Sequence, residues 1–170
     1  MGFSLVELLF ALTLSSILFT LAFPVSRDLI LNLHLFVLTE RISSTLYYAQ
    51  SEAIRHRSVI TVCKSKNAKS CSGSWKDGWI VSLNKPSASF ENGKLLRVYP
   101  TLSHIDFLQW HGFRSDDHLL IYPDGSYDQN GSFIICAQAL SKKRVWLVRV
   151  SQTGRIRVDK KNNQKIDCDN

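Results

Sequence analysis

The sequence contains no C-x-x-C pair, no histidine at zinc-finger spacing from a cysteine, no P-loop, no G-x-S-x-G and no dinucleotide-binding glycine fingerprint. These absences remove the usual signatures of structural zinc, nucleotide binding and hydrolase chemistry. The histidines, His34, His56, His104, His111 and His118, are scattered and reach no ligand spacing. Asp124, Asp128, Asn130 and Gly131 have the composition of a calcium loop, but no bidentate glutamate follows downstream, so turn chemistry is the better reading. Asp116-Asp117-His118 reads as a solvated loop rather than a metal site. No metal, no cofactor and no enzymatic activity are expected. There is also no internal repeat and no low-complexity tract. Apolar residues make up 45% of the chain, which is ordinary for a folded protein. At 170 residues it can build one globular domain plus an appendage.

Charge is nearly absent from the N-terminus. Phe3 to Val25 carries one ionisable side chain, Glu7, and one proline, Pro24. A run of about 20 apolar residues spans a bilayer core as a helix. A secretory signal peptide needs a basic n-region and a small-x-small end, and neither is there. An unpaired acid in hydrocarbon costs a few kcal/mol, so Glu7 calls for a partner. Beyond the run, Leu35, Leu38, Ile42, Leu46, Ala49 and Ala53 recur at helical spacing, with Glu40, Arg41, Gln50 and Glu52 off that stripe. The spacing predicts a helix to about Arg57.

The four cysteines are Cys63, Cys71, Cys136 and Cys168. An even count in a chain that leaves the cytoplasm implies two disulfides, and four free buried thiols if it does not. Spacing leaves the connectivity open. The favoured pairing is Cys63–Cys71, closing a short polar loop, with Cys136–Cys168 pinning the C-terminus to a strand.

From Ser58 onward the pattern turns to short β-rich runs: 58–63, 78–83, 95–99, 105–110, 119–122, 133–137, 145–150 and 155–158. Turn clusters separate them, among them Ser72-Gly73-Ser74, Pro86-Ser87, Glu91-Asn92-Gly93, Pro123-Asp124-Gly125 and Asn130-Gly131. The expected class is α+β, an antiparallel sheet packed on the second half of a long helix. The expected divisions are 1–2, a 3–25 membrane span, a 26–57 helical continuation and a 58–170 β domain.

Gly2-Phe3-Ser4-Leu5-Val6-Glu7-Leu8 resembles the processing signal of type IV pilins and pseudopilins. The resemblance implies the pilin fold, cleavage by a prepilin peptidase between Gly2 and Phe3, and methylation of the new N-terminus. Only Met1 precedes Gly2, where such leaders usually carry Lys or Arg, so a positive-inside argument has nothing to act on. In a filament the Phe3 α-ammonium of one subunit can neutralise Glu7 of its neighbour. Pro24 falls where pilins bend their helix. Val62-Cys63, Cys71, Trp75 to Val81, Tyr122-Pro123-Asp124-Gly125, Phe133 to Cys136 and Thr153 to Arg157 follow in the order of FimT-like minor pilins and GspH-like pseudopilins. This implies an inner-membrane, single-pass subunit with a periplasmic domain, partnered by other pilin subunits.

The excess positive charge is local. Residues 142–170 hold nine Lys/Arg and three Asp, out of a net +7 for the whole chain. Such clustering suits a polyanion-facing surface, although a solvated basic tail produces the same statistic. In 144–161, Val145, Leu147 and Arg149 alternate with Trp146, Val148 and Val150, and Gln152-Thr153-Gly154 supplies a turn. On the return strand Arg155 and Arg157 share a face at roughly 6–7 Å, with Ile156 and Val158 turned inward. Paired guanidiniums at that spacing suit successive phosphates. Gly154-Arg155-Ile156-Arg157 resembles the G-R-x-R motif of FimT-like pilins linked to DNA uptake in natural transformation. That likeness implies double-stranded DNA as a partner and Arg155 and Arg157 as its main contacts. Lys142, Lys143, Arg144, Lys160, Lys161 and Lys165 are the accessory cations. Binding should be independent of base sequence, because no base-reading constellation is visible. The competing reading is a structural GspH-like pseudopilin of a type II secretion system with protein partners only. Arginines on an edge strand also guard against aggregation.

Overall fold

The computed structural model describes residues 4–83, 94–100, 107–139 and 142–162, with side chains omitted at 21–28, 138–139, 142–143 and 161–162. The backbone falls into two compact units, 1–33 and 34–170.

The first unit is the N-terminal part of helix α1 (Leu5–His56). Its described side chains, Leu5, Val6, Leu8, Leu9, Phe10 and their neighbours, are exposed apolar groups. Thr13, Ser15, Ser16 and Thr20 turn their hydroxyls back onto carbonyls three or four residues earlier, so these polar groups are satisfied within the helix. Among the described residues no helix is long and apolar enough to cross a membrane. Ser4 to Thr20 alone would reach about 25 Å at 1.5 Å per residue, short of the hydrocarbon thickness. The 3–25 span and Pro24 therefore extend past the side chains described.

The second unit holds the rest of α1 and the β domain. The stripe from Leu35 to Ala53 is buried as its spacing predicts. Each Leu or Ile so buried contributes about 1.5–3 kcal/mol. The helix ends where Arg57 takes a positive φ of 48°. The Ser58 N–H then reaches the Ala53 carbonyl, and the Arg57 N–H that of Ile54, which satisfies the last turn.

Eight strands follow: β1 (Ile60–Lys64), β2 (Trp79–Leu83), β3 (Leu95–Tyr99), β4 (Phe107–Gly112), β5 (His118–Ile121), β6 (Gly131–Ala139), β7 (Lys142–Val150) and β8 (Ile156–Asn162). They form not one antiparallel sheet but two of four strands each, β3-β2-β1-β5 and β4-β6-β7-β8. A residue alternation cannot reveal that division, because each strand carries the same period in either arrangement. Helix and both sheets meet in one core. Ile42, Leu46, Val62, Trp75, Trp79 and Phe133 close around a cavity of about 10 Å³. Phe133 packs edge-on to Trp75 at 5.0 Å and tilted against Trp110 at 4.7 Å. Trp79 stacks on Tyr99, with the Arg41 guanidinium over both rings. Cys63 and Cys71 form a disulfide. Cys136 is disulfide-bonded too, while Cys168 lies outside the described residues.

The later strands run longer than the sequence suggests. β7 begins at Lys142 and β8 continues to Asn162, so Lys142, Lys143, Arg144, Lys160 and Lys161 belong to the ladder. Arg155 precedes β8 rather than opening it, and Val158 stays 40% exposed rather than turning fully inward.

Candidate nucleic-acid interface

The β7–β8 connection, Ser151 to Arg155, closes on a turn at Gln152-Thr153-Gly154 that its glycine makes possible. The Gly154 N–H donates to the Ser151 carbonyl at 3.0 Å, and the Ser151 N–H to the Arg155 carbonyl at 2.9 Å. Gly154 sits at φ +88°, where a side chain is strained. The β5–β6 connection repeats the design. The Gly125 N–H donates to Tyr122 O, the Tyr122 N–H donates to Ser126 O, and Gly125 lies at φ +81°. The two turns lie side by side. A Cβ on Gly154 would come within 2.8 Å of Gly125 O. Gln50 of α1 joins them, its Nε2 donating to both Gly125 O and Gly154 O at 3.0 Å. The hairpin that carries the arginines is thus fastened to the helix.

Asp124 holds the first turn by accepting from the Ser126 hydroxyl and N–H. These bonds, the hydroxyl's foremost, hold its carboxyl below the usual carboxylate range. Asp128 accepts from the Leu120 N–H, Asn130 from the Gln152 N–H and Asp116 from the Gly112 N–H, while Asp117 pairs with Lys64. The residues that resembled calcium or metal ligands are thus engaged in turns and loop ties.

Strand register places a row of polar side chains across the outer face of the second sheet. His111 pairs with Ser132, Ser132 with Arg149, and Arg149 with Arg157. Three strand spacings separate its ends, about 14 Å. Beside this row lies an open groove of about 920 Å³. Arg149, Arg155 and Arg157 line it, with Ile134, Leu147 and Val150 among its apolar residues. The Arg149 Nε meets Asp159 Oδ2 at 2.9 Å. Arg155 and Arg157 are exposed and have no carboxylate partner among the described residues.

The other expected cations do not all join this face. Lys160 pairs with Trp146 in register, and its ammonium lies 4.3 Å from that ring's centroid. Strand alternation puts Lys160 and Arg144 opposite Arg157 and Arg149. Lys142 and Lys143 open β7, and Lys161 pairs with Val145. Lys165, Gly2 and Phe3 lie outside the described residues. Glu7 is exposed on α1, with no ion-pair partner within the chain among the described residues. Two groove residues, Arg149 and His111, were not expected there. Arg149 was legible in the alternation of β7, but its partnership with Arg157 depends on the loop length. His111 belongs to a strand two ladders away and left no local signal.

The profile of the family described as type II transport protein GspH matches residues 38–154. Among curated proteins none matches the chain. Among solved structures, the type IV minor pilin FimU of Pseudomonas aeruginosa (strain PAO1) is similar. In its P21 crystal form it has 24% identity and a TM-score of 0.52, over 71% of this chain and 84% of FimU. In the P65 form the identity is again 24%, with a TM-score of 0.50 over 71% of this chain and 89% of FimU. At that identity the likeness concerns the fold, a long N-terminal helix packed on antiparallel β-structure. With the GspH profile running from the buried helix stripe to the Gly154 turn, the chain belongs to the FimT/GspH family of type IV minor pilins and pseudopilins.

Proposed function

We propose that this minor pilin binds DNA through its β7–β8 hairpin, without base preference, and promotes DNA uptake in natural transformation. The observation that carries the reading is the pair Arg155 and Arg157, both exposed, both facing the groove and neither neutralised by a carboxylate among the described residues. A planar guanidinium donates two parallel hydrogen bonds to a phosphate, which a lysine cannot reproduce. Arg149 adds a third cation, attenuated by Asp159. In this reading Phe3 to Val25 anchors the subunit in the inner membrane after cleavage at Gly2, and the β domain stands in the periplasm. Glu7 pairs with the amino terminus of a neighbouring pilin subunit.

The test is a gel shift of double-stranded DNA by the full chain in detergent at low salt, against the Arg155→Gln/Arg157→Gln variant. Both side chains are exposed, so the variant keeps its melting temperature. Binding by the parent chain and loss in the folded variant are expected. Undiminished binding by that variant refutes the site.

A second reading rests on the family match, to type II transport protein GspH, which stops at Gly154, before both arginines. In it the chain is a structural pseudopilin of a secretion system with protein partners only. Deletion then abolishes secretion and leaves transformation intact.

A further inference from the structure

Phe113 is 88% exposed, and no other aromatic ring outside α1 is as open among the described residues. It lines the same groove as Arg149, Arg155 and Arg157. Its loop is held firmly. The Arg114 and Ser115 N–H groups both donate to Gln129 Oε1, and the buried Gln129 returns its Nε2 to the carbonyls of Ser115 and His118. Asn130 joins this loop to the arginine hairpin. Its carbonyl accepts from the Phe113 N–H at 3.0 Å, and its Oδ1 accepts from the Gln152 N–H at 2.6 Å. The ring and the guanidiniums are therefore referred to one residue and flank one groove with an apolar component.

We propose that the groove takes single-stranded DNA, with an unpaired base stacked on Phe113 and the adjoining phosphates on Arg155 and Arg157. This deepens the DNA-binding reading and rests on it. Phosphates need only the cations. An exposed phenyl ring adds nothing to them, but offers a π-face to a base, and that face is reachable only when the base has left a duplex. Arg114, the next residue in the same loop, is exposed as well. Stacking tolerates any base, in keeping with the lack of a base-reading constellation.

The experiment measures fluorescence anisotropy of the full chain in detergent against three labelled probes: a short oligothymidylate, a duplex of equal length, and the same strand with abasic residues. The oligothymidylate is expected to bind about tenfold more tightly than the abasic strand, the worth of one stacked base. Phe113→Ala removes that advantage and leaves duplex binding unchanged, while Phe113→Trp preserves it. Equal affinity for oligothymidylate and abasic strand, or a Phe113→Ala variant indistinguishable from the parent, overturns the stacking proposal. If duplex binding still depends on Arg155 and Arg157 in that case, the broader DNA reading stands alone. If no probe binds, both fail together.

Discussion

Arg157 stands directly across the β7–β8 ladder from Arg149, one cation opposite another on the same face of the sheet. Like charges in such a pair destabilise a sheet. Asp159, diagonal to Arg149, offsets this through its 2.9 Å contact with the Arg149 Nε. Arg157 has no such compensation among the described residues, which leaves its charge available to a ligand.

Removing that offset separates stability from binding. Asp159→Asn frees Arg149 and deletes a negative charge from the groove's strand. We expect DNA affinity to rise about two- to fivefold at low salt, because one more phosphate contact becomes available. The melting temperature falls slightly, since an exposed ion pair contributes at most about 1 kcal/mol. Anisotropy titration and thermal unfolding of the same sample check both.

Gly154→Ala tests the turn. The residue must keep φ +88° and bring its Cβ within 2.8 Å of Gly125 O and 2.9 Å of Gln50 Nε2. Strain of this kind costs about 1–3 kcal/mol. A clear drop in melting temperature is expected, together with weaker DNA binding as Arg155 shifts. An unchanged melting temperature contradicts the turn geometry.

Gln50→Leu removes the amide that fastens both turns to α1. Two carbonyls lose a partner in a half-buried site, at roughly 1–3 kcal/mol each when no water replaces it. Denaturant unfolding is expected to show the loss, with hydrogen exchange rising first at the amides of Gly125 and Gly154.

Much of this arrangement was legible from residue order. The buried stripe Leu35 to Ala53, the helix end near Arg57 and all eight β segments follow from period and turn chemistry. Trp75, Trp79, Trp110 and Trp146 are all buried, as large apolar rings in a folded domain are expected to be. Other features depend on register across distant segments. The split into two sheets needs to know which edges meet. So does the separation of Lys160, above Trp146, from Arg157 on the opposite face. The Gln50 tie spans 75 and 104 residues, far beyond any local pattern.

Acid should loosen the paired turns. The Asp124 carboxyl is held below its ordinary value by Ser126, so the folded state favours the ionised form. The stabilisation is therefore fully present above the unfolded carboxylate pKa of about 4 and is lost as pH falls through the lower folded value. The Asp77 carboxyl behaves alike, lowered first by the Ser74 backbone N–H. Thermal unfolding between neutral and strongly acidic pH should show a decline that Asp124→Asn reduces. An identical decline in that variant contradicts the assignment.

The most direct test is the salt dependence of duplex binding by the full chain and by Arg155→Gln/Arg157→Gln. Each phosphate neutralised adds about 0.9 to the magnitude of the slope of log K against log salt concentration. If the two arginines each engage one phosphate, the variant's slope is shallower by about 1.8 while its fold is intact. Equal slopes in the two proteins would show that the duplex is held elsewhere.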